Sequence, residues 1–312
     1  MNLQPIVPFE PIRMDQAPNG ESLIAQVKWD GVRVLTYYDG ETVNLFNRKQ
    51  NNRTEQFPEL IEIQNYCDAS SVILDGEVIA LGTDGQPSFH EVMRRDGIRN
   101  IEKVEQRRQE IPISYMIFDM IYYNGEWIDQ WPLQERMELL KKVIIPSNTI
   151  QVVPSHSDSD TLFSVVKKHQ LEGIVVKDVT RAYQIKGKDD RWVKVKNYRD
   201  LTAVVGGVTK RSGIVNALLL GLYDHTGGLH YIGHTGTGKL TAHDWRDLTE
   251  RVEPLITKIK PFVNQPERSQ DAIWLEPQLT VKVNFIEWPE GRTLRQPSIQ
   301  AFVDQSPEDC TL

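Results

Sequence analysis

Lys28-Trp29-Asp30-Gly31-Val32-Arg33 is the stretch on which the fold of this 312-residue chain turns. It lies between two strand-like segments, Leu23 to Lys28 and Val32 to Tyr38, so the Asp-Gly pair reads as the turn that joins them. The lysine stands at the end of the first strand. An amine attacks phosphorus only when deprotonated, and burial or neighbouring cations lower a lysine pKa far enough for that near neutral pH. Lys194 and Lys196 are candidate sources of those cations. By itself, K-x-D-G-x-R reads more readily as a surface β-turn with a salt bridge.

Outward from this segment, Thr42 to Phe46 adds a strand across an Asp39-Gly40 hairpin turn, and antiparallel β is expected. Pro58 to Tyr66 is predicted as a short helix. Val72 to Leu81 and Ile113 to Tyr123 are predicted as strands, the second ended by Asn124-Gly125, and helices are expected over Leu133 to Ile145 and Asp158 to His169. After the strand-like Arg191 to Lys196 the pattern changes to short β segments with glycine turns, at Val204 to Val208, Ile214 to Tyr223 and Leu229 to Gly233. That change sets a domain boundary near Asp200. A helix is predicted from an N-cap at Thr241, with an apolar stripe of Trp245, Leu248, Val252, Leu255, Ile256 and Ile259 and a kink at Pro254. Strand signals return at Leu279 to Glu287. The expected class is α+β: antiparallel sheets with flanking helices over residues 1–200, then a small OB-fold barrel over 201–312.

The chain carries 36 basic and 43 acidic side chains, a net charge of -7, so it lacks the overall basic excess of a nucleic-acid binder. Locally the balance reverses, with six basic residues between Lys186 and Arg199 and a second cluster from Arg94 to Arg108. Without further motifs such runs read as solvated faces. Only Cys67 and Cys310 are present, which excludes a disulfide framework and a cysteine-rich zinc site. No apolar stretch approaches the roughly 20 residues of a membrane helix. The first cationic side chain is Arg13, and prolines interrupt at Pro5, Pro8 and Pro11, so no signal peptide is read and a cytoplasmic protein is expected.

Further elements follow the lysine in order: Asn47-Arg48, Leu74-Asp75-Gly76-Glu77, Phe118-Asp119, Glu172-Gly173-Ile174-Val175-Val176-Lys177, and Trp192-Val193-Lys194-Val195-Lys196. The series resembles the covalent nucleotidyltransferase superfamily, specifically the ATP-dependent DNA ligases, whose motifs I, Ia, III, IIIa, IV and V it follows from residue 28 to 196. The resemblance implies that Lys28, next to Asp30, is the nucleophile that takes AMP from ATP. It makes Glu77 the residue that holds the ribose hydroxyls, places adenine between Phe118 and Val175, and assigns Glu172, with Glu77, to a magnesium ion. Two lysines alternating with apolar neighbours on one strand share a face. There the family implies that Lys194 and Lys196 bind the α-phosphate. Arg33 and Arg48 are implied as clamps on the 5'-phosphate of nicked double-stranded DNA, a bidentate task suited to guanidinium.

With its lysine at residue 28, the chain resembles small bacterial or phage ligases that have no N-terminal DNA-clamping domain. A monomer with a modest, salt-sensitive grip is expected. The chemistry serves DNA repair, replication and recombination alike. Gly233-His234-Thr235-Gly236-Thr237-Gly238-Lys239 nearly matches a P-loop, but Leu240 stands where a hydroxyl must reach magnesium, so it reads as a turn. The family's closing motif VI, Arg-x-Asp-Lys, is matched only by Phe302-Val303-Asp304-Gln305, without its two cations. Weak self-adenylation, or compensation by Arg292, Arg295 or another basic side chain, is expected. The alternatives are an RNA ligase or capping guanylyltransferase, and a non-catalytic nick-binding module.

Overall fold

The computed structural model describes residues 3–267 and 269–312. The chain forms two compact units, one ending at Asn197 and one beginning at Tyr198.

The first unit holds strands β1 (Glu10–Arg13), β2 (Leu23–Val27), β3 (Val32–Tyr38), β4 (Val43–Asn47) and β5 (Val72–Ala80). Helices α1 (Phe89–Asp96) and α2 (Val104–Glu110) lead to β6 (Ile113–Tyr123), β7 (Glu126–Trp127), α3 (Leu133–Val143) and β8 (Ile150–Val152). It closes with α4 (Ser159–Lys168), β9 (Gly173–Asp178) and β10 (Lys188–Lys196). One sheet has the order β4-β3-β5-β6-β7, with β8 also on β6, and the other the order β1-β10-β9-β2.

Period-two alternation sorts β3 onto two faces. Val34 joins a core with Leu74, Val78, Val92 of α1 and Leu140 of α3. Leu35 and Tyr37 point the other way, onto Phe9, Tyr183 and Trp192. In the second sheet Ala25, Ile174, Val176, Val193 and Val195 pack against Leu162 and Val166 of α4. The remaining face of that sheet, which bears Trp192 and Val175, meets the first sheet.

Two expectations change here. Pro58 to Tyr66 forms two separate 3-10 turns, Pro58–Leu60 and Ile63–Asn65, because the segment is too short to nucleate an uncapped helix and instead inserts Leu60, Ile63 and Tyr66 into the core. Helices α1 and α2 were not anticipated. Their start signals are short polar side chains, Ser88 accepting from the Glu91 amide ahead of α1 and Asn100 accepting from the Glu102 amide in the 3-10 turn that leads into α2.

The second unit contains β11 (Arg199–Arg211), β12 (Ile214–Tyr223), β13 (Leu229–Thr235), α5 (Ala242–Val252), β14 (Ile273–Phe285) and β15 (Ser298–Val303). These strands form an antiparallel sheet ordered β13-β12-β11-β14-β15. Irregularities in β11 and β12 bend it, and a parallel bridge from Gly238 to Ile299 draws the end of β13 towards β15, the curl of an OB-fold. Thr241 caps α5 in a reciprocal capping box with Asp244. The helix ends at Val252 rather than continuing past a kink, because Pro254 occupies a following 3-10 turn. Ile259, placed on the stripe by periodicity, is 75% exposed.

Candidate active site

The site grows from the register of the second sheet. Lys28 extends β2 by donating its amide to the Gly173 carbonyl at 2.9 Å, and Gly173 pairs with Lys196 across β10. Two residues along, Gln26, Val175 and Lys194 form the next row on the same face. Directly paired residues share a face, so Lys28, Lys194 and Lys196 project together, away from α4. Gly173 makes this approach possible: its φ is +154°, and a Cβ there would overlap the Val195 carbonyl oxygen. Gly31 does the same for the turn after Lys28, lying against the Val78 carbonyl and the Glu77 side chain.

Glu172 ties these amines together. Its Oε2 accepts from Lys28 Nζ at 2.5 Å and its Oε1 lies 3.1 Å from Lys196 Nζ, with the carboxylate buried. Burial works against the Lys28 charge, but Glu172, Glu77 and Asp30 outweigh it and raise the pKa above its ordinary value. This reverses the expected depression, because Glu172 and Glu77 stand closer to the amine than sequence spacing reveals. Burial likewise opposes charge on Glu172, yet Lys28 and Lys196 hold it below the usual carboxylate range. Glu77 on β5 is pushed up to about 8 by burial, against the pull of Lys28 and Arg33. Lys194 is lowered, by burial first and then by Lys28 and Lys196.

Phe118 is half-buried on β6 and meets Trp192 edge-on, with ring centroids 6.0 Å apart. Val175 packs against the same cluster. Arg48 follows β4 with its side chain 56% exposed and 3.4 Å from a Glu10 carboxylate oxygen.

Arg33 departs from its expected place. Its Nε and Nη2 donate to Asp75 at 2.8 and 2.5 Å, and its Nη1 donates to the Phe9 carbonyl at 2.7 Å. The guanidinium is thus turned inward between the sheets rather than offered to a DNA phosphate. Behind Phe118 lies a layer of buried polar residues to which the sequence reading gave no roles. Asp119 and Arg136, both 0% exposed, share two 2.8 Å bonds, and Tyr183 donates to Asp75. Lys177 Nζ bonds the Phe118 carbonyl at 3.3 Å. The readable signal was Arg136, a cation on the apolar stripe of Leu133, Met137 and Leu140 in α3.

Among the described residues no three carboxylates, histidines or cysteines cluster as a metal cage. The pair Glu172 and Glu77 still fits magnesium, which is usually held by one or two carboxylates and completed by substrate phosphates. The P-loop-like segment is committed elsewhere: the Lys239 amide donates to Ile299, and α5 begins only at Ala242.

Two facing sheets around a lysine and carboxylate cluster, with an OB-fold later in the chain, define a covalent nucleotidyltransferase. The chain belongs to the ATP-dependent DNA ligase family, for residues 10–196 match its ATP dependent DNA ligase domain and residues 211–304 its C terminal region. The DNA ligase of Methanothermobacter thermautotrophicus is 31% identical over 99% of this chain and 58% of its own length. The multifunctional non-homologous end joining DNA repair protein LigD of Mycobacterium tuberculosis is 32% identical over 87% of this chain and 35% of its own. The chain therefore spans between about a third and three-fifths of these relatives. The crystal structure of the M. tuberculosis LigD ligase domain is 26% identical with a TM-score of 0.51, covering 98% of both chains.

Proposed function

We propose that this chain is an ATP-dependent DNA ligase that seals nicks in duplex DNA through a lysyl-AMP intermediate. The observation that carries the proposal is the row of Lys28, Gly173 and Lys196 closed by Glu172. Lys28 Nζ passes its proton to Glu172 Oε2, its 2.5 Å partner, and attacks the α-phosphorus of ATP; an N–P bond forms and the bond to pyrophosphate breaks. AMP passes to the 5'-phosphate of the nick, and the 3'-hydroxyl then displaces AMP and joins the strand. Lys194 and Lys196 hold the α-phosphate oxygens where charge develops. Phe118 and Val175 flank adenine, Glu77 accepts from the ribose hydroxyls, and Arg48 takes the 5'-phosphate. Arg33 acts through Asp75, which it fixes between the sheets. Glu172 and Glu77 are the donors for magnesium, which when bound neutralises the charge that makes pyrophosphate a poor leaving group.

Residues 1–200 form the adenylation domain and 201–312 the OB domain in this proposal. The protein works as a cytoplasmic monomer on nicked DNA. Repair is the pathway favoured by the LigD relative's name, and replication and recombination make the same chemical demand.

Intact mass after incubation with ATP and magnesium, followed by nicked duplex, tests the proposal with Lys28→Ala as control. One AMP gained, then lost with sealing, and absent from the control is the expected result. No adduct with retained nick binding would instead indicate a nick-binding module. An adduct from GTP, or sealing confined to nicked RNA, would move the chain to the capping or RNA ligase class.

A further inference from the structure

We propose that the N-terminal strand β1 belongs to the surface that grips the nicked strand, with Arg13 contacting a DNA phosphate and Glu10 holding Arg48 until DNA displaces it. This rests on the ligase proposal above. Strand β1 runs parallel to β10 at the edge of the catalytic sheet, and its register sets Arg13 opposite Lys194 and Glu10 opposite Lys188. Ile12 packs into the core shared by Val193 and Val195. Arg13, the next residue, therefore projects from the opposite face, the one that carries Lys194 and Val175. The Arg13 side chain is 53% exposed and lies 3.6 Å from the exposed Asp15. An exposed pair of this kind is worth about 0–1 kcal/mol, and a phosphate that offers guanidinium two acceptors displaces it.

Glu10 stands among cations. It lies 3.4 Å from Arg48 and in register with Lys188, and it also supports the charge of Lys194. A single carboxylate there holds Arg48 over the sheet edge until a DNA phosphate takes its place. Arg13 and Lys194 thus form one cationic pair across β1 and β10, while Lys188 and Arg48 flank Glu10, an internal anion that DNA must displace. Opposite consequences follow for the two β1 residues: removing Arg13 deletes a phosphate contact, whereas neutralising Glu10 frees Arg48 to bind.

The test is equilibrium binding of a fluorescent nicked duplex across a potassium chloride series, using the full chain, Arg13→Ala and Glu10→Gln, with 5'-phosphate and 5'-hydroxyl nicks. Each phosphate contact contributes about -0.9 to the slope of log affinity against log salt. Arg13→Ala is expected to flatten that slope by about 1. Glu10→Gln is expected to tighten binding about threefold at low salt, the size of a released exposed ion pair. An Arg13 effect confined to 5'-phosphate nicks assigns the residue to the terminal phosphate, and an effect on both substrates assigns it to a backbone phosphate; either supports the proposal. Parallel slopes and equal affinities for all three proteins overturn it, as does an Arg13→Ala defect in ATP binding with DNA binding unchanged. Failure of the unaltered chain to take up AMP counts against the ligase proposal and leaves the salt slopes readable.

Discussion

Lys177→Met is the most direct probe of the buried layer behind Phe118. Lys177 is 2% exposed, with its Nζ 4.1 Å from the Trp192 ring centroid and 4.5 Å from that of Phe118. Burial lowers its pKa from 10.5 to about 7; Asp119 and Asp75 resist the change, and Arg33 and Arg136 assist it. Between pH 7 and 10.5 the unfolded chain therefore binds a proton that the folded chain does not, so this residue makes stability rise with pH across that window. Below pH 7 the folded state carries the buried charge and its cost. Each pH unit inside the window is worth about 1.4 kcal/mol. From pH 7.5 to 9.5 the linkage amounts to about 2–3 kcal/mol. Methionine keeps the length of the side chain and removes the titration. Urea unfolding of both proteins at pH 6, 7.5, 8.5 and 9.5 gives the difference in stability, in which the other titrating groups cancel. That difference should move in favour of the unaltered chain by about 2–3 kcal/mol between pH 7.5 and 9.5. A difference that does not vary with pH would refute the reasoning, since it would mean that the two aromatic faces and the Phe118 carbonyl sustain the ammonium at its ordinary pKa.

Three further outcomes follow from the same geometry. Arg136→Met strands the Asp119 carboxylate in a site with no exposure and should cost about 3–5 kcal/mol in urea unfolding, with Arg136→Lys intermediate because it keeps the charge and loses the fork. Gly173→Ala should abolish AMP uptake by intact mass even in the folded protein, since relieving the clash with the Val195 carbonyl moves β9 from β10 and parts Glu172 from Lys196. An Arg292→Ala, Arg295→Ala double variant should adenylate more slowly than the unaltered chain if these arginines replace the missing motif VI cations. Unchanged ATP-dependent rates would exclude that compensation.

The strands β2 to β6, the α+β class and the later change to short β segments were legible because they rest on local signals: alternation in β3 and β6, the Asp39-Gly40 turn, and glycine-punctuated strands beyond Asp200, whereas β1, β7, β8, β9 and β15, and the order of strands in each sheet, were not read. The shared face of Lys194 and Lys196 was legible as well, since alternation alone sets them on one side of a strand. The charge state of Lys28 was not, because it depends on carboxylates 49 and 144 residues away in sequence, Glu77 and Glu172. The short segment 58–66 carried a helical signal that tertiary packing overrode, and the stripe beyond Val252 failed because one proline outweighs apolar spacing. Helices α1 and α2 are short and charged, so their periodicity is faint beside their caps.

Arg33 shows most clearly what a motif leaves open. The spacing from Lys28 states that an arginine follows the turn, and β3 pairing sets it beside Glu77, but neither says where the guanidinium points. The direction is decided by Asp75, a buried carboxylate two residues before Glu77 on the same face of β5, which would be stranded without that partner. Tyr183 donates to the same carboxylate and accepts the Phe9 amide, so the segment leading into β1 is anchored to the layer that also supports Phe118. A buried polar network with its members satisfied in this way holds one geometry, because any shift leaves a charge unpaired in low dielectric. Of the two guanidiniums, the half-exposed Arg48 rather than Arg33 is consequently the one able to move, as the proposed role of phosphate clamp requires. The rigidity behind Phe118 and the adaptability at the sheet edge arise from the same residue type placed at two different depths of the fold.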